Sequence, residues 1–127
     1  MSQANPTQAT TDQAPPRLVD TARVEAARAR IVNAETIESI SRSLHALGEP
    51  TRLRIAVALL AAGELSVSDT AAAVGISEPA TSQHLRVLRS ERLVRNRRQG
   101  RAVIYSLADQ HVRDWVELAL AHAAHDD

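Results

Sequence analysis

Between Ile37 and Leu107, glycine and proline cut the chain into short apolar segments. That punctuation limits the fold to a cluster of short helices closed by a hairpin. Ile37, Ile40, Leu44 and Leu47 recur at helical spacing, which predicts a helix over Glu35–Leu47. Gly48 ends it and Pro50 blocks its continuation. A second helix is expected from Thr51 to Ala62. Its apolar residues, Leu53, Ile55, Ala56, Val57, Leu59 and Leu60, lie nearly all round, as in a helix buried on most sides. Gly63 closes it. Ser66 opens a short helix with Val67, Ala71 and Val74 inward, and Asp69 stands three positions on as a capping-box-like acid. Gly75-Ile76 makes a turn. Ser77 caps the next helix, with Glu78 and Pro79 in its first turn. That helix carries Leu85 and Leu88 inward and runs to about Arg92. Leu93–Arg98 and Ala102–Leu107 are β-prone, and Gly100 between them suits a hairpin turn. The expected fold class is therefore mainly α with a small β-hairpin.

The flanks are less patterned. Residues 1–20 are rich in Gln, Thr, Pro and Ala and read as a disordered tail. Residues 21–34 are rich in Ala and Arg and could form an extra helix, with Val24, Ala27 and Ile31 as its thin apolar face. Residues 35–127 carry the periodic pattern and form the expected domain, which suits a chain of 127 residues. No segment has the length and apolarity of a transmembrane helix or a signal peptide, which points to the cytoplasm and to no membrane partner. The chain has no cysteine, so disulfides and thiolate metal sites are excluded.

The net charge of zero hides an asymmetry. Every basic residue is arginine, and seven of the fifteen fall between Arg86 and Arg101, against Glu91 alone. From Asp109 onward there are five acids and one arginine, Arg113. The local field, not the total, governs contact with a polyanion. Two short helices joined by a glycine turn and followed by an arginine-rich hairpin describe a winged helix-turn-helix. A helix fits the major groove, where each base pair shows a distinct donor and acceptor pattern. Thr81, Ser82 and Gln83 near the start of the second helix are expected at base edges or phosphates, with Arg86 further along. Arg97, Arg98 and Arg101 on the hairpin would meet adjacent phosphates. A helical bundle with a solvated arginine face is the plainer reading. The glycine-tipped hairpin after the helix-turn-helix weighs against it. Only Tyr105 and Trp115 are aromatic, which is too few to stack the bases of a single strand, so duplex is the expected target.

The last helical stretch is bracketed by two pairs of metal-binding side chains, Asp109-x-His111 and His122-x-x-His125. From His111 to His122 is eleven residues, about 16 Å of helix, so one helix cannot bring both pairs to one ion. Eleven steps of about 100° return to nearly the same face. Two such helices packed antiparallel about a two-fold axis would join the Asp/His pair of one to the His/His pair of the other. That arrangement is a symmetric homodimer with two intersubunit four-ligand sites. Each residue also has a plainer explanation. Asp109 is a good N-cap, and His125 lies in a terminal stretch prone to fray. His45 and His84 are not assigned to metal.

Several motifs together resemble the ArsR/SmtB metalloregulatory repressors over about residues 35–127. They are Leu47-Gly48-Glu49-Pro50-Thr51-Arg52, Glu64-Leu65-Ser66-Val67-Ser68-Asp69, Ser82-Gln83-His84-Leu85, and Arg97-Arg98-Gln99-Gly100-Arg101 with Tyr105-Ser106-Leu107. The resemblance implies a winged-helix dimer built on its first and last helices. It implies an apo form that binds a palindromic duplex operator and leaves it when metal binds, derepressing metal efflux or homeostasis genes. Ser66 and Ser68 stand where one class of relatives has cysteine ligands. Asp109, His111, His122 and His125 match the last-helix site of the zinc- and cobalt-sensing class. Four N/O ligands suit tetrahedral Zn(II) or Co(II) better than octahedral Ni(II). The resemblance also implies a hydrogen bond from the second ring nitrogen of His122 to a backbone carbonyl near Arg92. Glu78-Pro79 departs from the pattern and leaves the operator sequence open. Three rivals stand beside this reading: a family member that senses a non-metal signal or is not inducible, a purely structural zinc, and a zinc hydrolase. The last lacks a His-Glu-x-x-His motif and room for a cleft, so no enzymatic activity is expected.

Overall fold

The computed structural model describes residues 19–124, so residues 1–18 of the expected tail, and His125, lie outside the described residues. The chain divides at Ala34/Glu35 into two units. In the first, α1 (Thr21–Arg30) is capped by Asp20, whose carboxylate accepts from the Arg23 amide at 3.1 Å. No residue of α1 is buried. It stops at Ile31, which turns to extended backbone, rather than running on to 34.

Apart from Ala34, the second unit holds α2 (Ala34–Gly48), α3 (Pro50–Ala62), β1 (Leu65–Ser66), α4 (Val67–Val74), α5 (Glu78–Ser90), β2 (Val94–Gln99), β3 (Ala102–Leu107) and α6 (Gln110–Ala124). The boundaries follow local chemistry. The Glu49 carboxylate caps α3 by accepting from the Arg52 amide at 2.8 Å, with Pro50 in the first turn. Ser66 Oγ caps α4 through Asp69 N, and Ser77 Oγ caps α5 through Ala80 N. Gly75 joins these two helices with φ +80, in the left-handed region that residues with a Cβ rarely adopt. Gly100 takes φ +62 at the first position of the two-residue loop between Gln99 and Ala102.

The strands form one antiparallel sheet of order β1-β3-β2. Val94 pairs with Leu107 and Asn96 with Tyr105, while Leu65 of β1 pairs with Tyr105 from the other side. The architecture is the winged helix-turn-helix expected, mainly helical, but the wing has three strands rather than two. The third anchors the wing at the entrance to α4.

The core gathers Ile55, Ala56 and Leu59 of α3, Leu85 and Leu88 of α5, Leu93, Val94 and Leu107 of the wing, and Val112 and Val116 of α6. Thus α5, the wing and α6 share one set of apolar contacts. Helix α5 ends two residues earlier than expected. Arg92 takes φ +60, Arg92 N donates to Arg89 O and Leu93 N to Leu88 O, both at 2.9 Å. That is a Schellman closure with arginine at the position glycine usually fills. The apolar pair Leu88 and Leu93, both buried, holds it.

Candidate DNA interface and metal centre

Helix α5 sorts its residues by period. Thr81, Leu85 and Leu88 point inward at i, i+4 and i+7, and all three are fully buried. Gln83 and Arg86 stand exposed on the outer side, and Ser82 and His84 are half-buried between. Thr81 therefore needs correction as a base contact. Its hydroxyl donates to Ser77 O at 2.8 Å and its side chain lies in the core, so it can touch no nucleic acid. It holds the first turn of α5 instead. Thr70 does the same in α4 through Ser66 O at 2.7 Å. His84 Nδ1 lies 4.0 Å from Glu49 Oε1, beside the cap of α3. The Glu49 carboxyl is held below its usual range, first by the Arg52 amide it accepts from.

The wing does not offer its arginines as one patch. Alternate residues of a strand face opposite sides. Arg95 and Arg97 share one face, while Arg98 lies with Val94 and Asn96 on the other. Arg86, Arg98 and Arg101 are exposed, and each is without an ion pair or side-chain hydrogen bond among the described residues. Arg97 is engaged. Its Nη2 and Nε donate to Glu64 Oε1 and Oε2 at 2.8 and 3.3 Å, and its Nη1 donates to Gln99 Oε1 at 2.8 Å. The Arg97 guanidinium holds the Glu64 carboxyl below its ordinary range. Two more arginines are structural. Arg52 Nε donates to Ala46 O at 2.6 Å, tying α3 to the end of α2, and Arg54 Nη2 donates to Val74 O, tying α3 to α4. Sequence reading misses these three roles. A partner 33 residues away, as Glu64 is from Arg97, leaves no local mark.

Asp109 both caps α6 and joins the candidate metal pair. Its Oδ1 accepts from Val112 N at 3.1 Å and lies 3.3 Å from His111 Nδ1. The Val112 amide is the main cause of its lowered carboxyl pKa. The same Oδ1 thus caps the helix and faces the His111 ring. His111 and His122 are exposed. His111, Trp115, Leu118 and His122 fall at i, i+4, i+7 and i+11, one stripe along α6. The adjoining side of the helix, roughly 90–130° round, buries Val112 and Val116. Trp115 is 37 % and Leu118 67 % exposed, and α2 likewise exposes Ile37, Ile40 and Leu44. Among the described residues, no group of three or more His, Cys, Asp or Glu side chains stands together within the chain. The donors present are oxygen and imidazole nitrogen, which fit a borderline divalent cation. At the position of the missing thiolates, Ser66 is spent as a helix cap.

Known proteins share this fold. Residues 49–96 match the family described as bacterial regulatory protein, arsR family. The chain is 41% identical over 110 residues to the transcriptional repressor SmtB homolog of Synechocystis sp., covering 87% of this chain and 83% of that one. It is 39% identical over 83 residues to the cadmium resistance transcriptional regulatory protein CadC homolog of Staphylococcus aureus, covering 65% and 69%. The solution structure of the homodimeric winged helix-turn-helix DNA-binding domain of Mb0332 from Mycobacterium bovis superposes with a TM-score of 0.67 at 29% identity. That match covers 74% of this chain and 93% of the other. Among the described residues, no helix is long and apolar enough to cross a membrane. A reading helix with exposed polar residues, an arginine-bearing wing and these relatives lead to one conclusion: the chain belongs to the ArsR family and is a DNA-binding transcriptional regulator, not an enzyme.

Proposed function

We propose that the chain is a cytoplasmic, homodimeric, metal-responsive repressor. Its metal-free dimer holds a palindromic operator and releases it when Zn(II), or Co(II), binds. The observation that carries this reading is the α6 stripe, an exposed apolar strip with a histidine at each end. An uncovered Trp115 and Leu118 favour burial against a second copy, at roughly 25 cal/mol for each Å² of apolar surface removed from water. Antiparallel pairing of the stripe sets Asp109 and His111 against His122 and His125 of the partner subunit, twice per dimer. Nickel would need more ligands than this set supplies.

On the DNA side, Ser82, Gln83 and Arg86 are the proposed groove contacts, and Arg97, Arg98 and Arg101 the phosphate contacts. Two reading helices spaced about one duplex turn apart, roughly 34 Å, match a palindrome. Ligand residues at both ends of α6 fix how the protomers are set against each other. Val112 and Val116 carry that setting into the core shared with α5. A bond from the second ring nitrogen of His122 to a carbonyl near Arg92 would add a direct link to the end of the reading helix. The relative named for cadmium resistance supports metal as the class of effector.

A gel shift on a duplex from the protein's own promoter tests this. Zinc is expected to weaken binding by about 5- to 150-fold, the span of typical allosteric couplings. Equal affinity with and without zinc contradicts metal-driven release.

A further inference from the structure

The wing carries four arginines, Arg95, Arg97, Arg98 and Arg101, but only Arg97 has a carboxylate seated in its fork among the described residues. That carboxylate comes from Glu64, which precedes β1 and so belongs to the start of the helix-turn-helix rather than to the hairpin. Its two oxygens meet Nε and Nη2, the edge with which a guanidinium grips a phosphate. Gln99 takes the remaining nitrogen. All three nitrogens of Arg97 are thus occupied before any DNA arrives. Both partners are about half exposed, with side chains 51 % and 52 % accessible. An ion pair so open to water is held weakly and can exchange partners.

We propose that Glu64 is a built-in competitor of the DNA phosphate: its carboxylate holds Arg97 in the free protein and gives up the fork to a backbone phosphate in the complex. The contact pins the wing to the entrance of α4 when no duplex is present. Because each binding event must break it, it also lowers affinity for any duplex, whatever its sequence. Glu64 thereby sets the background of non-specific binding above which the operator must stand out. The inference rests on the DNA-binding reading above.

Affinity of the full-length dimer for a mixed-sequence duplex, measured across a range of salt, tests it. Glu64→Gln is expected to bind about two- to five-fold tighter at low salt, the range an exposed ion pair spans. The slope of log affinity on log salt should steepen by up to about 0.9, one phosphate contact. The same substitution in an Arg97→Gln background should change neither quantity. That control separates partner exchange from simple repulsion between Glu64 and DNA, which would persist without Arg97. Unchanged or weaker binding by Glu64→Gln overturns the proposal, as does tighter binding that survives loss of Arg97. A wild-type protein that binds no duplex at any salt overturns the DNA-binding reading along with it.

Discussion

Replacing His111 and His122 together by alanine should abolish zinc-driven release while leaving metal-free operator affinity at the wild-type level. Both side chains are exposed, and neither belongs to the core or to the DNA face. The substitution therefore removes donors without disturbing packing. Each proposed four-ligand site loses two members, one from each subunit, and two ligands do not hold zinc in a tetrahedral site. The lost response equals the whole coupling, about 1–3 kcal/mol, or roughly 5- to 150-fold in affinity. By reciprocity, wild-type protein on its operator should bind zinc more weakly by the same factor. Zinc titration of free and operator-bound dimer, wild type against double variant, reads both quantities. Zinc bound tightly by the wild type with no change in operator affinity would instead identify a structural ion.

The second large effect lies in the core. Leu85→Ala should destabilise the fold by about 2–5 kcal/mol, the cost of truncating a buried leucine and leaving a cavity. Leu85 is 0 % exposed and sits where α5 meets the cluster of Ile55, Leu59, Leu88 and Val116. A domain of this size has a total stability of about 5–15 kcal/mol. Each kcal/mol lowers the melting temperature by about 4–8 °C, so a loss of roughly ten degrees or more is expected in a thermal melt. Leu118→Ala makes the comparison, because Leu118 is exposed in the protomer and should matter only where a partner covers it. A melt of Leu85→Ala indistinguishable from wild type would contradict the assigned core.

These effects separate what the sequence makes legible from what it hides. Most boundaries of helices α2 to α6 are readable because their signals are local: Gly48 with Pro50, Ser66, Gly75, Ser77 and Asp109 each act within one turn. The hairpin is readable for the same reason, through Gly100. Strand β1 is not, since Leu65 and Ser66 gain extended structure only by pairing with the distant Tyr105 and Ile104. Arg92 hides the end of α5, because an arginine stands at φ +60 and tertiary contacts of Leu88 and Leu93 decide the matter. Thr81 is misread when chemistry is allowed to override period. Its hydroxyl suggests a base contact, yet its place four residues before Leu85 puts it on the inner face. The arginine count of the wing is legible, but its division into free and engaged members is not, because Glu64 reaches Arg97 only once the sheet has formed. For the metal residues, spacing reveals the shared stripe of His111 and His122, while joining their two ends requires a second chain.

A mixed-dimer experiment reaches that last point directly. One variant lacks Asp109 and His111, the other lacks His122 and His125, and neither homodimer can build a complete site. Mixed and re-equilibrated, the two should form a heterodimer in which one site regains all four ligands and the other loses them all. Cobalt titration should then show tetrahedral visible absorption at one ion per heterodimer, against two per wild-type dimer and none for either variant alone. Absence of that absorption from the mixture, in a sample shown to contain heterodimer, would contradict a site shared between opposite ends of two partnered α6 helices.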